Sequence, residues 1–130
     1  MSVPGPTAYA FNRTREAYLA THLRIAETHW SRFRGLMCTD SGSFFKGCGV
    51  WLVPSRGVHT FAMRFPIDVA YLDGSKRVIH LEKNLRPWRL APVRMNAASV
   101  LELPANTLHS TRTAIGDQVE IASGSEAALL

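Results

Sequence analysis

Long apolar runs are missing from this 130-residue sequence: no stretch approaches the roughly 20 residues that a membrane-spanning helix needs. Cysteine is scarce, with only Cys38 and Cys48, which excludes a disulfide framework. The five histidines show no HxH or HxxxH spacing and the cysteines form no CxxC, so no metal-ligand pattern is present. The glycine-rich stretches lack the terminal Lys-Ser/Thr of a phosphate-cradling loop. Neither a metal nor a cofactor is therefore expected. The N-terminus has no basic segment followed by an apolar one, so a cytoplasmic protein with both thiols reduced is expected. Charged residues make up only 19% against 46% hydrophobic, which excludes disorder as the main state.

What is present is a succession of short apolar runs broken by proline and glycine. Residues 18–25, with mixed Thr, Leu and Ile, read as a strand. Further runs cover 50–53, 58–63, 67–72, 78–81, 100–103 and 119–122, and Asp73-Gly74 marks a hairpin between two of them. Thr28 is a fitting N-cap, and Trp30, Phe33, Leu36 and Met37 follow at helical spacing. The pattern predicts a mainly β fold: a compact single-domain β-sandwich or barrel of short strands, with one short helix near residues 28–37. The domain is expected over 7–123, with 1–6 and 124–130 as tails.

Charge is uneven. The net is +5, carried by twelve Arg and only three Lys. Residues 46–94 hold nine basic side chains against Asp68, Asp73 and Glu82, whereas residues 95–130 are net acidic. A basic, arginine-rich middle suits carboxylates or phosphates, because Arg presents a planar fork of donors. Arg64, Arg86, Trp88 and Arg89 are the candidate ligand-binding residues, with Pro87 stiffening their loop and Arg94 close behind. His59 and Thr60 complete that set. On a strand His59 and Thr60 point to opposite faces, so a His-activated Thr nucleophile is disfavoured.

His59 and Asp68 form the candidate catalytic pair, since a carboxylate orients a histidine and raises its pKa. The structural alternative makes His59 a core residue and pairs Asp68 with Arg64 across the Pro66 bend. Glu102 alternates away from Leu101 and Leu103, and a two-carboxylate glycosidase would need it beside Asp68. A soft copper site from Met37, Cys38, His59 and Met63 is a weaker option than core packing of the methionines. The expected function is a non-catalytic binding module for an anionic small molecule, a glycan or an acidic partner segment. The competing classes are a small hydrolase using His59 and Asp68 and a charge-driven nucleic-acid binder, the latter without any recognised motif. No membrane partner is expected.

The series Gly35-Leu36-Met37, the stretch VHTFAMRFPIDVAYLD over 58–73, Pro87-Trp88-Arg89, Val100–Pro104 and Gly116-Asp117 resembles the uncharacterised family known as domain of unknown function 192. The resemblance spans about Arg13 to Ile121. It implies a small, mainly β, sandwich-like fold with one short helix, and it implies no activity. Ala62 stands where larger residues are usual, and Cys48 has no counterpart in the pattern.

Overall fold

Six consecutive residues of one strand, Ile67–Leu72, are all buried, so both faces of the sheet around them must be covered. The computed structural model describes residues 8–26, 44–57 and 64–122. Its strands are β1 (Ala8–Asn12), β2 (Ala17–Ala26), β3 (Cys48–Leu52), β4 (Ile67–Leu72), β5 (Val78–Leu85), β6 (Ser99–Pro104) and β7 (Val119–Ala122). One short helix, α1 (Thr107–Ser110), lies between β6 and β7. They form a seven-stranded sheet in the order β5-β4-β6-β3-β2-β1-β7. Only the β2–β3 pair is parallel among these neighbours.

The sheet curls until its two outer strands meet at one end. Arg77 and Gln118 form a bridge there. The Val78 amide donates to Asp117 O at 2.9 Å, and the Gly116 amide donates to Val78 O at 2.8 Å. The result is a half-barrel with two apolar layers. Inside lie Ala10, Leu19, Leu23, Ala70, Leu72, Leu101, Leu103 and Val119, with Leu108 of α1 packed among them. Outside, Val50, Leu52, Ile67, Val69, Tyr71 and Val100 are covered by Phe44, Phe65, Ala91 and Ala97 from the connecting loops.

The interior is narrow where β2, β3 and β6 approach. A Cβ on Gly49 would stand 2.9 Å from the Ala20 Cβ and 3.1 Å from Leu103 Cδ2, so only glycine fits. Inward positions on β1 are small, Ala8 and Ala10, while Tyr9 and Phe11 alternate outward. Phe11 stacks on Tyr18 with ring centroids 4.8 Å apart, which fixes the β1–β2 hairpin on its outer side.

A mainly β fold is what the apolar runs predict, and β2, β3, β4, β6 and β7 fall on the expected segments. β5 continues four residues past the expected 78–81, to Leu85. The sequence pattern misses β1 and α1. The helix expected near 28–37 and the strand expected at 58–63 lie outside the described residues. Helix α1 is short and has no side-chain cap of its own: Asn106 precedes it at φ 76 without a capping bond. Its first turn is held instead from β4, where Asp68 Oδ2 accepts the Leu108 amide at 2.9 Å.

No described helix is long and apolar enough to cross a membrane.

Candidate functional site

The loop between β5 and β6, residues 86–98, carries Arg86, Trp88, Arg89 and Arg94, all exposed. Its backbone is fastened from Ala91 to Ala98. The buried Tyr71 hydroxyl donates to Pro92 O at 2.7 Å. The Arg94 amide donates to Arg56 O at 2.9 Å, and the Ala98 amide to Leu72 O at 2.8 Å. Ala91 and Ala97 sink into the outer apolar layer as two further pegs. Burial, with Glu82 nearby, pushes the Tyr71 phenol up to about 12 against a smaller opposing pull from Arg94. The hydroxyl therefore stays protonated, and the anchor stays a donor, throughout the neutral range.

Trp88 sits at φ 62. A bulky residue in the left-handed region costs about 1–3 kcal/mol and persists only where its surroundings impose it. Trp88 holds that conformation with its indole exposed. Arg86 and Arg89 flank it. Arg94 turns another way: its Nη2 lies 3.4 Å from His80 Nε2, which in turn lies 2.9 Å from Glu82 Oε2. The His80 ring packs edge-on against Tyr71, with centroids 5.0 Å apart. This His80–Glu82–Arg94 group was not singled out from the sequence. Its only sequence signal is the two-residue spacing of His80 and Glu82 on one strand.

The expected catalytic pair divides differently. His59 and Thr60 lie outside the described residues. Asp68 is buried inside the half-barrel, and its partners are main-chain donors rather than the Arg64 guanidinium. Oδ1 accepts the Asn84 amide at 2.8 Å and Oδ2 the Leu108 amide at 2.9 Å. Asn84 occupies φ 56 where the β4–β5 register shifts, so the carboxylate serves an amide that the irregular ladder displaces. Arg64 is exposed just before β4. Glu102 pairs across the sheet with Val69 and Val50, and Asp68 pairs with Leu103. The two carboxylates thus face opposite sides of the sheet, and a glycosidase pair does not form between them. Among the described residues no group of three or more His, Cys, Asp or Glu side chains is arranged to hold a metal. Cys48 carries a free thiol, and Cys38 lies outside the described residues.

Residues 10–121 match the family model DUF192, described as an uncharacterized ACR. The chain belongs to the DUF192 family. A relative of this chain is the UPF0127 protein of Thermococcus sibiricus, 32% identical over 114 residues, covering 84% of this chain and 71% of its own. Two solved structures share the fold. A protein of unknown function from Novosphingobium aromaticivorans superposes with a TM-score of 0.72 at 18% identity, over 87% of this chain and 82% of its own. A chain from Sinorhizobium meliloti 1021 gives 0.71 at 19% identity, over 93% and 96%. The second carries a transcription-regulator designation, but at such identity the likeness is one of fold alone. Two of the motifs that mark the family in this sequence fall on structural parts of the DUF192 fold: Asp68 on the α1 and β5 amides, and Gly116-Asp117 on the closure between β5 and β7.

Proposed function

We propose that this DUF192 protein is a non-catalytic binding module for an anionic ligand, such as a phosphorylated or acidic small molecule, an acidic glycan or an acidic protein segment. The ligand is held at Arg86, Trp88 and Arg89, with Arg64 adding to the local positive field. The observation that carries this is Trp88, exposed and in a left-handed conformation between two exposed arginines, on a loop that is anchored from Ala91 onward. A prefixed loop loses little entropy when a ligand arrives, and an indole face beside guanidinium groups suits a flat or ring-bearing anion. The commitment of Asp68 to two main-chain amides supports binding over a hydrolase built on His59 and Asp68. We place the module in the cytoplasm, in keeping with the free Cys48 thiol.

Titration of the protein with phosphate, sulfate and a sulfated disaccharide tests this through tryptophan emission. At least one of these anions is expected to quench or shift the emission in a saturable way. The response disappears in Trp88→Phe, which separates it from Trp30 and Trp51. Arg89→Ala weakens the affinity about tenfold or more, since a charge-assisted hydrogen bond contributes about 1.5–3 kcal/mol. The same variant leaves the melting temperature almost unchanged, because an exposed side chain contributes less than about 0.5 kcal/mol. Affinity falls as salt is raised from low ionic strength, where the screening length shortens to about 10 Å at 0.1 M. No anion response, together with unfolding of Arg89→Ala, would make the loop scaffolding.

A further inference from the structure

We infer that the ligand of this loop is an acidic segment of another protein that also carries apolar side chains, laid along the ridge from Trp88 to Met95. This rests on the anion-binding reading above and names the partner. The ridge exposes Trp88 (62%), Leu90 (71%), Val93 (67%) and Met95 (71%) within eight residues. The other large hydrophobics exposed among the described residues, Tyr18, Phe45 and Ile115, are far apart in sequence. Single exposed apolar side chains are ordinary, but four within eight residues of one loop mark a contact surface. From Ala91 onward the run is fastened, by the Tyr71 hydroxyl and by Ala91 and Ala97.

Its composition has the character of an interface core. Trp, Met and Arg are the types enriched in such surfaces, and Lys is depleted there. Arg86, Arg89 and Arg94 are interleaved with the apolar side chains rather than gathered at one point. A small anion needs one or two guanidinium groups. Basic groups spaced between apolar ones fit a linear partner in which acidic and apolar residues alternate.

A shallow cleft of 370 Å³ opens beside the far end of the ridge, lined by Ile79, His80, Val93, Arg94, Met95 and Asn96. Its lining is mainly polar, and Arg94 and Asn96 supply donors. His80 is already engaged with Glu82. The cleft therefore accepts a terminal carboxylate, that of an Asp or Glu of the partner, directed at Arg94. A second copy of this chain is a poor occupant: self-association through the ridge would bring its arginines against one another.

Selection of a displayed library of degenerate peptides on the intact protein, with counter-selection on the Leu90→Ser/Met95→Ser double variant, tests the inference. The enriched peptides are expected to intersperse Asp or Glu with apolar residues. By fluorescence polarisation they lose about tenfold or more in affinity for the double variant and, separately, for Arg94→Gln. The protein is expected not to sediment with vesicles of phosphatidylserine and phosphatidylcholine. Enrichment of nothing, of neutral or basic sequences, or of peptides that bind the double variant equally overturns the inference. So does sedimentation with the vesicles that the double variant loses, which would assign the ridge to a lipid surface. The phosphate and sulfate response of Trp88 separates the two proposals. If it survives while peptide selection fails, the anion site stands without a protein partner. If peptides bind without it, the partner stands and the small-anion site falls.

Discussion

Asp68→Ala is expected to lower the melting temperature by about 10–20 °C. The substitution strands two main-chain amides, the buried one of Leu108 and the part-buried one of Asn84. Each orphaned donor costs about 1–3 kcal/mol, giving roughly 3–5 kcal/mol together. A domain of this size loses about 3–5 °C per kcal/mol. Asp68→Asn keeps one acceptor and turns an NH2 group toward the other amide, so its loss should be about half as large. The loss comes with local consequences. Leu108, packed in the inner layer, is placed by that bond, and the Asn84 amide marks where β5 departs from regular pairing with β4. Hydrogen exchange should therefore accelerate first at Asn84 and along α1. An Asp68→Ala protein of unchanged melting temperature would show that the carboxylate is not a fastening of the fold and would return it to consideration as a chemical group.

A second large effect is expected at the closure of the barrel. Asp117 Oδ2 accepts Asn12 Nδ2 at 3.0 Å, Arg15 Nε at 2.9 Å and the Ala114 amide at 2.9 Å. Asn12 also donates to Thr113 Oγ1 at 3.0 Å, so the β1–β2 turn is tied to the start of β7 through buried polar groups. Burial works against ionisation of Asp117, but the bonds from Arg15, Asn12 and the Ala114 amide outweigh it and hold the carboxyl below its ordinary 3.8. A depressed native pKa gives stability that is fully present above the unfolded value and is lost as pH falls through the native one. Urea unfolding should thus show a stability loss beginning below about pH 4. The loss should be smaller in Asp117→Asn, which cannot titrate, although that variant starts less stable at pH 7. Asp117→Ala, which removes the acceptor shared by Arg15, the Ala114 amide and one N–H of the buried Asn12 side chain, should cost about 3–5 kcal/mol at pH 7. Identical acid dependence in wild type and Asp117→Asn would remove Asp117 from the account of acid unfolding.

Both fastenings show where sequence reading reaches and where it stops. Runs such as Ile67–Leu72 and Val119–Ala122 are legible because a buried strand must be apolar and must end at turn residues, here Asp73-Gly74 and Gly116-Asp117. β1 is not legible in that way. The half-barrel leaves room only for Ala8 and Ala10 on its inner side, so the strand lacks large inward residues. Helix α1 is invisible for a different reason: its first turn is held by a carboxylate 40 residues earlier in the chain. Asp68 was readable as unusual but not in role, because main-chain amides brought to it by a bulge and a helix leave no residue-type signature. The basic loop was readable as arginines around a tryptophan between prolines. Its separation into an Arg86–Trp88–Arg89 group and an Arg94–His80–Glu82 group depends on where β5 runs, which no local pattern encodes.

The central claim is that ligands meet this protein at the exposed β5–β6 loop and not at Asp68. An amide-resolved NMR titration of the isotope-labelled chain with the anion that gives the strongest tryptophan response tests it most directly. Shifts that saturate together and concentrate at residues 86–95, with the Asn84 and Leu108 amides left in place, are the predicted result. Saturable shifts centred on the Asn84 and Leu108 amides that Asp68 holds, with residues 86–95 unmoved, would contradict it.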